Sequence, residues 1–321
     1  MKSIIYVTRQ LDESIVAPLR ENHEVIQCDI HNITGTPIEE ALQYGDRVVA
    51  LWTALSDQVT SEVMDALPNL KVVANMAVGY NNIDIAAANE RGITVTNTPG
   101  VLSDTTADLA FGLLMSTARR LPQAEKSLRA GEWSTWEPFG YAGMDIHGAS
   151  IGIIGMGRIG EALARRAYGF DMDISYHNRT RKEEAEKKYD LTYRSLEDLL
   201  KTCQFIAIFA PLTEETNGLL GREELALLRP DAIVINAARG EIIDEDALYD
   251  VLKEGKIFGA GLDVYSQEPI DPNHKLLTLP NVVALPHIGS ASIATRTKMA
   301  EMNVEAILAV LNGETPENIV Q

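Results

Sequence analysis

Short apolar runs alternate with helical patterns along most of the chain, and the alternation occurs in two successive series. Strands are predicted in the first series at 4–7, 24–28, 47–52, 71–76 and 93–96, and in the second at 150–154, 173–177, 205–209, 232–236, 259–264 and 282–285. Helical patterns fill the intervals, which is typical of parallel strands joined by crossover helices. The pattern predicts an α/β fold of two doubly wound parallel-sheet domains, with ligands in a cleft between the carboxyl ends of their strands.

Three segments stand outside this alternation. A long helix is predicted over 104–121, an irregular stretch with two tryptophans over 133–148, and a terminal amphipathic helix over 293–311. A chain of 321 residues is too long for one ordinary core, so two domains are expected.

Composition excludes several classes of protein. A hydrophobic content of 45% without low-complexity tracts is typical of a folded globular protein, and the formal net charge of −18 argues against a nucleic-acid partner. The two cysteines cannot form a disulfide framework, and the N-terminus lacks the long apolar core of a signal peptide or membrane span. We therefore expect a cytoplasmic protein with no membrane partner, and no metal-ligand spacing stands out.

A glycine motif opens the second series. Gly155, Gly157 and Gly160 form GxGxxG between a predicted strand and a predicted helix, which is the context of a dinucleotide-binding Rossmann turn. The N–H groups at the start of that helix, at Arg158 and Ile159, would bind the pyrophosphate. A purely structural glycine turn is the alternative.

The end of the next strand bears on the choice of cofactor. An NAD site usually has an acidic residue about 20 positions after the glycines, whereas this chain has Asn178, Arg179, Thr180 and Arg181 there. A neutral asparagine beside a guanidinium favours a 2′-phosphate, so we predict NADP(H), with NAD(H) as an alternative. The arginines could also be solvated surface residues.

Three ionisable residues, Arg239, Glu268 and His287, follow three strands of the second series and could reach one cleft. Reduction of a 2-oxo acid needs a proton donor and positive charge that binds and polarises the substrate. His287 can supply the proton, Glu268 can stabilise the imidazolium, and Arg239 can bind the substrate carboxylate or carbonyl. Each residue alone also fits a structural role.

Six segments carry a family resemblance. They are VGYNNIDIAAANERGITVTNTPG at 78–100, TTADLAFGLLMSTARR at 105–120, GIIGMGRIG at 152–160, INAARGEIIDEDAL at 235–248, GAGLDVYSQEP at 259–269 and LPHIGSAS at 285–292. In order and spacing the chain resembles the D-isomer-specific 2-hydroxyacid dehydrogenases and, among them, the glyoxylate and hydroxypyruvate reductases.

The resemblance implies roles for several residues. The three ionisable residues would be catalytic, and backbone N–H groups around Val78 and Gly79 would bind the substrate carboxylate. Trp52 would lie near the substrate side chain. Trp136 belongs to a segment that in the reductases reaches the partner's active site, with interface packing as its alternative. Further cofactor contacts are implied at Thr106, Pro211, Thr216, Ala237, Asp263 and Gly289.

The resemblance also implies how the chain is organised. Residues 1–99 and 290–321 would form a flavodoxin-like substrate domain, and residues 100–289 the NAD(P)-binding Rossmann domain, through which a homodimer would form. The expected activity is NADPH-preferring reduction of glyoxylate or hydroxypyruvate to glycolate or D-glycerate. Phosphoglycerate-type, D-lactate-type and phosphite dehydrogenases stay open as alternatives, as does a dinucleotide-sensing binding protein of the corepressor type.

Overall fold

A computed structural model describes residues 2–320 and divides the chain into two compact units. The first unit comprises Met1–Leu102 and Ala291–Gln321, and the second comprises Ser103–Ser290. The family resemblance implied domain boundaries at 99/100 and 289/290. Each unit contains its own parallel sheet, so the predicted α/β class with two parallel sheets is confirmed.

The described residues form the following strands and helices. The strands are β1 (Ile4–Val7), β2 (Glu24–Gln27), β3 (Val48–Thr53), β4 (Val72–Asn75), β5 (Thr94–Thr96), β6 (Ser150–Ile154), β7 (Asp173–His177), β8 (Thr192–Tyr193), β9 (Phe205–Ile208), β10 (Ile233–Asn236), β11 (Gly259–Leu262) and β12 (Val282–Ala284). The helices are α1 (Glu13–Arg20), α2 (Pro37–Leu42), α3 (Ser61–Ala66), α4 (Ile85–Glu90), α5 (Ser103–Ala118), α6 (Leu121–Arg129), α7 (Arg158–Tyr168), α8 (Glu183–Tyr189), α9 (Leu196–Thr202), α10 (Arg222–Leu225), α11 (Glu245–Lys253) and α12 (Ile293–Leu311).

The first unit has a five-stranded sheet in the order β2-β1-β3-β4-β5, which is the flavodoxin-like order. The strands are apolar on both faces because helices cover both. Val73 and Leu51 pack on one side, while Val72 and Ala50 pack on the other against α12. The terminal helix therefore belongs to the core of the N-terminal unit.

The second unit has a seven-stranded sheet in the order β12-β11-β10-β9-β6-β7-β8. The chain runs outward from β6 to β8 and then returns to β9 on the other side of β6. This reversal is the switch point at which Rossmann domains bind their ligands. The carboxyl ends of β10, β11 and β12 lie side by side, so the loops that follow them are neighbours.

One sequence expectation about the elements was wrong, and one short strand was not predicted. The helix predicted over 104–121 ends at Ala118, because Arg120 has a left-handed backbone and a separate helix, α6, begins at Leu121 with Pro122 in its first turn. The edge strand β8 was not predicted, because two residues are too few for an apolar run.

Candidate active site

The three predicted catalytic residues follow three adjacent strands of the second unit. Arg239 follows β10, Glu268 follows β11 and His287 follows β12. Because the strands are parallel, the side chains lie at one edge of the sheet.

His287 and Glu268 form a direct pair. His287 Nδ1 lies 2.6 Å from Glu268 Oε2, and about a quarter of each side chain is exposed. An ionised carboxylate only accepts hydrogen bonds, so His287 carries a proton on Nδ1. Nε2 is then the ring nitrogen that can gain or lose a proton. Burial alone would raise the pKa of Glu268, but the hydrogen bond and charge of His287, the Tyr265 N–H and the charge of Arg239 outweigh it and hold that pKa below its ordinary value.

Tyr265 connects the loops that carry this pair. Its backbone N–H donates to Glu268 Oε1 at 3.0 Å, and its hydroxyl donates to the Leu285 carbonyl, two residues before His287, at 3.0 Å. Burial raises the pKa of the Tyr265 hydroxyl to about 12, so it is protonated and donates at neutral pH.

Asp263 holds the backbone that follows His287. Its two carboxylate oxygens accept from the Ile288 and Gly289 N–H groups, each at 2.8 Å. His287 itself has a left-handed backbone, with φ of 52°, which a non-glycine residue keeps only when its surroundings support it. Burial raises the pKa of Asp263, although the two N–H donors and His287 oppose that shift.

Arg239 lies in a loop that packs closely on the Glu268 loop. A Cβ on Gly240 would lie 1.9 Å from the Tyr265 carbonyl carbon, so only glycine allows this approach. Asn236 fixes the turn by donating to the Arg239 carbonyl at 2.8 Å. Burial lowers the pKa of Arg239, while the charges of Glu268 and Glu241 act in the opposite direction.

The glycine motif fits a dinucleotide. A Cβ on Gly155 would lie 2.4 Å from the Ala210 nitrogen, and one on Gly160 would lie 2.3 Å from the Gly155 carbonyl oxygen, so both positions are closed to side chains. Gly157 has open space instead and directly precedes the helix that begins at Arg158 and Ile159. A bare backbone beside open space at a helix N-terminus suits a pyrophosphate.

The segment after β7 contains the predicted phosphate-binding residues. Asn178 Oδ1 accepts from the Met156 N–H of the glycine loop at 3.4 Å, and its amide donates to the Thr180 carbonyl at 2.8 Å. Arg179 is exposed and lies 3.3 Å from Glu215. Arg181 is held by two hydrogen bonds to Glu186, whereas Arg179 makes a single exposed contact with its acidic partner.

The other predicted cofactor residues of this unit lie in loops or at helix starts near the same strands. Thr216 Oγ1 donates to the Pro211 carbonyl at 2.6 Å, which closes the loop after β9. Thr106, in the first turn of α5, is buried and faces Gly289, whose Cβ would lie 3.2 Å from the threonine methyl. Ala237 directly follows β10 and is half-buried.

The candidate substrate residues Trp52, Val78 and Gly79 belong to the first unit. Trp52 is 2% exposed and lines a small cavity of about 20 Å³ together with Thr53 and Met76. Val78 and Gly79 lie in the loop after β4, and both carbonyl groups accept side-chain hydrogen bonds from asparagines.

Trp136 lies on the surface of the second unit. It is 75% exposed in the irregular stretch that also contains Trp133 and Phe139, both exposed. A largely apolar groove of about 370 Å³, lined by Met115, Ile146 and Phe170 among others, lies on the same unit.

Several contacts of the candidate residues were not predicted. Tyr265, Glu215, Asn75 and Asn97 touch them in the structure but were not singled out from the sequence. The signal in the sequence that could have indicated them is a polar residue at the end of an apolar strand, such as Asn75 after VVA. Among residues 2–320, no group of three histidine, cysteine or acidic side chains could hold a metal ion, and no helix is long and apolar enough to span a membrane.

Comparison with known proteins identifies the family. Residues 111–289 match the sequence model of the D-isomer specific 2-hydroxyacid dehydrogenase NAD binding domain, which includes the glycine motif, Arg239, Glu268 and His287. The match covers more than half of the chain. The protein belongs to the D-isomer specific 2-hydroxyacid dehydrogenases, a family of oxidoreductases, and the predicted resemblance is confirmed.

Within the family, the chain is similar to glyoxylate reductases. It is 46% identical to that of Korarchaeum cryptofilum and 47% identical to that of Thermococcus kodakarensis, in each case over 100% of this chain and 96% of the relative. A solved NADPH-dependent glyoxylate/hydroxypyruvate reductase from Sinorhizobium meliloti, in complex with NADP and malonate, is 34% identical with a TM-score of 0.84, and the match covers 100% of this chain and 97% of that chain.

Proposed function

We propose that this protein reduces a small 2-oxo acid, glyoxylate or hydroxypyruvate, to glycolate or D-glycerate, with NADPH as the preferred nicotinamide cofactor. The observation that carries the proposal is the 2.6 Å His287–Glu268 pair, which shares one sheet edge with Arg239 in the unit that contains the glycine motif. The similar glyoxylate reductases support the choice of substrate.

The catalytic residues divide the work of the reduction. A nicotinamide cofactor, when bound, would supply the hydride. His287 delivers a proton from Nε2 to the carbonyl oxygen as negative charge develops there, while Glu268 stabilises the protonated imidazole. Arg239 binds and polarises the substrate, and the N–H groups around Val78 and Gly79 bind its carboxylate. Trp52 would limit the size of the substrate side chain.

The preference for NADPH rests on the segment after β7. Asn178 replaces the acidic residue that would repel a 2′-phosphate, and Arg179 offers an exposed guanidinium beside it. The S. meliloti relative, which was solved with NADP, supports this assignment. NADH is the slower alternative cofactor. Thr106, Pro211, Thr216, Ala237, Asp263 and Gly289 complete the proposed cofactor site.

We also propose that the protein is a cytoplasmic homodimer formed through the second unit. Three exposed aromatic side chains, Trp133, Trp136 and Phe139, lie in one short stretch that a second copy would cover. In that dimer Trp136 would reach the partner's active site. The two free, buried cysteines fit a reducing compartment.

The first test is the loss of reduced-nicotinamide absorbance with NADPH or NADH and each of glyoxylate, hydroxypyruvate, pyruvate and phosphohydroxypyruvate. Faster loss with NADPH and either of the first two acids is expected, and His287→Asn should remove nearly all of it. Preference for another acid would assign the protein to another subgroup of the family. Tight dinucleotide binding without turnover of any acid would refute the proposed reaction and favour a dinucleotide-sensing binding protein.

A further inference from the structure

Three consecutive backbone carbonyls in the loop after β4 each accept a hydrogen bond from the chain. The pairs are Ala77 with the Thr98 N–H at 2.9 Å, Val78 with Asn97 Nδ2 at 2.8 Å, and Gly79 with Asn75 Nδ2 at 2.9 Å. All six residues belong to the first unit.

The Asn75 amide is fixed by a buried network. Asn75 is fully buried at the end of β4, and its Oδ1 accepts from the Thr53 hydroxyl at 3.1 Å. Asn82, also buried, contacts the same amide at 3.3 and 3.4 Å. Because Oδ1 is occupied by these donors, the amide nitrogen of Asn75 is directed toward the Gly79 carbonyl.

Fixing a carbonyl also fixes the N–H group of the same peptide. A trans peptide is planar, and its N–H points away from its C=O. The carbonyls of Ala77, Val78 and Gly79 belong to the peptides whose N–H groups are those of Val78, Gly79 and Tyr80. Holding the three carbonyls therefore also orients three successive N–H groups. Each N–H group points away from the donor that binds the carbonyl of its own peptide. Successive N–H groups of a loop can together bind an anion.

We propose that Asn75 and Asn97 are positioning residues for the substrate carboxylate, and that the Tyr80 N–H joins those of Val78 and Gly79 in binding it. This inference rests on the proposed function, since it assigns the source of the carboxylate site's geometry. The asparagines do not touch the substrate. They hold the Val78 and Gly79 carbonyls so that the N–H groups do not have to reorient when the anion binds, which makes binding tighter.

The test is the Asn97→Ala variant, whose side chain is half-buried and whose removal leaves the Asn75 network intact. We expect the KM for glyoxylate and the inhibition constant of oxamate, an unreactive 2-oxo acid analogue, to rise together by about tenfold, the loss typical of weakened hydrogen bonds to a charged group. The kcat should change much less, and the Kd for NADPH should not change. The kcat/KM for methyl glyoxylate, which lacks the anion, should stay at the wild-type value.

Asn318→Ala is the matched control. Its amide donates to the Asn97 backbone carbonyl, so this variant disturbs the same segment without releasing the Val78 carbonyl. Asn75→Ser extends the test to the Gly79 carbonyl. If this buried substitution prevents folding, the result for Asn97→Ala decides the test by itself.

Two results would overturn the positioning role. One is a glyoxylate KM for Asn97→Ala within twofold of wild type, and the other is an equal loss with methyl glyoxylate. By contrast, a wild-type enzyme that turns over no 2-oxo acid would refute the proposed function itself, and the role of the asparagines with it.

Discussion

At the scale of single residues, the candidate site is organised by carboxylates that each bind two partners. Glu268 uses one oxygen for His287 and the other for the Tyr265 N–H, and Asp263 uses both oxygens for the loop after His287. The surroundings shift the two acids in opposite directions, since the pKa of Glu268 is lowered and that of Asp263 is raised. Replacing each with its amide should therefore change stability with opposite dependences on pH.

For Glu268→Gln, we expect the wild type to lose part of its stability advantage as the pH falls. A lowered pKa means that the folded state favours the ionised carboxylate. Its stabilisation is complete at pH values above the ordinary value of 4.5 and is lost as the pH falls through the lower folded-state value. The measurement is the free energy of unfolding in urea for both proteins at intervals from pH 6 downward. A difference that grows toward acid pH would contradict the role of the His287 pair.

Asp263→Asn should show the opposite slope in the same measurement. Because burial raises the pKa of Asp263, the folded state takes up a proton more readily than the unfolded state. Wild type should then gain stability relative to this variant as the pH falls through the raised value. Parallel slopes for the two amide variants would show that general acid denaturation, rather than these two sites, dominates the comparison.

The contact of Arg179 with Glu215 leads to a prediction about cofactor selectivity. In the proposed cofactor site a 2′-phosphate would replace the Glu215 carboxylate at the guanidinium, and exposed ion pairs contribute only about 0.2–1 kcal/mol. Glu215→Gln should tighten NADPH binding by about two- to fivefold and leave NADH unchanged, whereas Arg179→Ala should weaken NADPH roughly tenfold more than NADH. Fluorescence titration of both cofactors measures this.

Glu214→Gln is the matched control for the cofactor prediction, because it removes the neighbouring negative charge but not the carboxylate that contacts Arg179. An equal gain from both glutamine variants would mean that only the overall charge of the loop matters. Equal losses of NADPH and NADH in Arg179→Ala would remove Arg179 from the 2′-phosphate site.

At the scale of elements, the turn between β6 and α7 contains glycines with different physical roles. Gly155 has a backbone φ of 98° and lies against the start of the loop after β9, so it serves the fold. Gly157 has open space where a side chain would be, so packing does not require glycine there, and the absence of a Cβ fits the proposed approach of a pyrophosphate. The same chemical change at the two positions should therefore have different consequences.

We predict that Gly155→Ala destabilises the protein by about 3 kcal/mol, because an added Cβ is both strained and in collision with the Ala210 nitrogen. Gly157→Ala should change stability by less than about 1 kcal/mol but weaken NADPH and NADH binding alike by roughly tenfold, because a methyl group blocks approach of the pyrophosphate. Urea unfolding and cofactor titration on both variants separate the effects. Normal cofactor binding by Gly157→Ala would contradict the assignment.

At the scale of the whole molecule, the sequence predicted the regular elements better than their contacts. The terminal helix over 293–311 and the strands at 4–7, 150–154 and 173–177 have the predicted bounds, because each combines a clear hydrophobic period with polar residues at its ends. The contacts of Asp263 and Asn75 were not predicted. They depend on which strands are neighbours and how loops turn, and a single sequence does not contain that information in a local pattern.

The apolar surface of the second unit leads to the last prediction. Two of the three tryptophans in the chain, Trp133 and Trp136, lie in one exposed stretch with Phe139, which is 86% exposed. Exposed aromatic side chains grouped in one short stretch are typical of a surface that another molecule covers. If a second copy covers it, light scattering should give about twice the chain mass of 35.2 kDa for wild type, and Trp133→Ser with Phe139→Ser should shift the protein toward the monomer. Ile293→Ser, at a 91% exposed apolar side chain of the other unit, is the control and should remain dimeric.

Since Trp136 is proposed to act in the partner's site, the specific activity of the double variant should rise with protein concentration as dimers re-form. A double variant that is monomeric yet fully active at every concentration would show that Trp136 acts only in packing, and a wild type that is monomeric would refute the dimer.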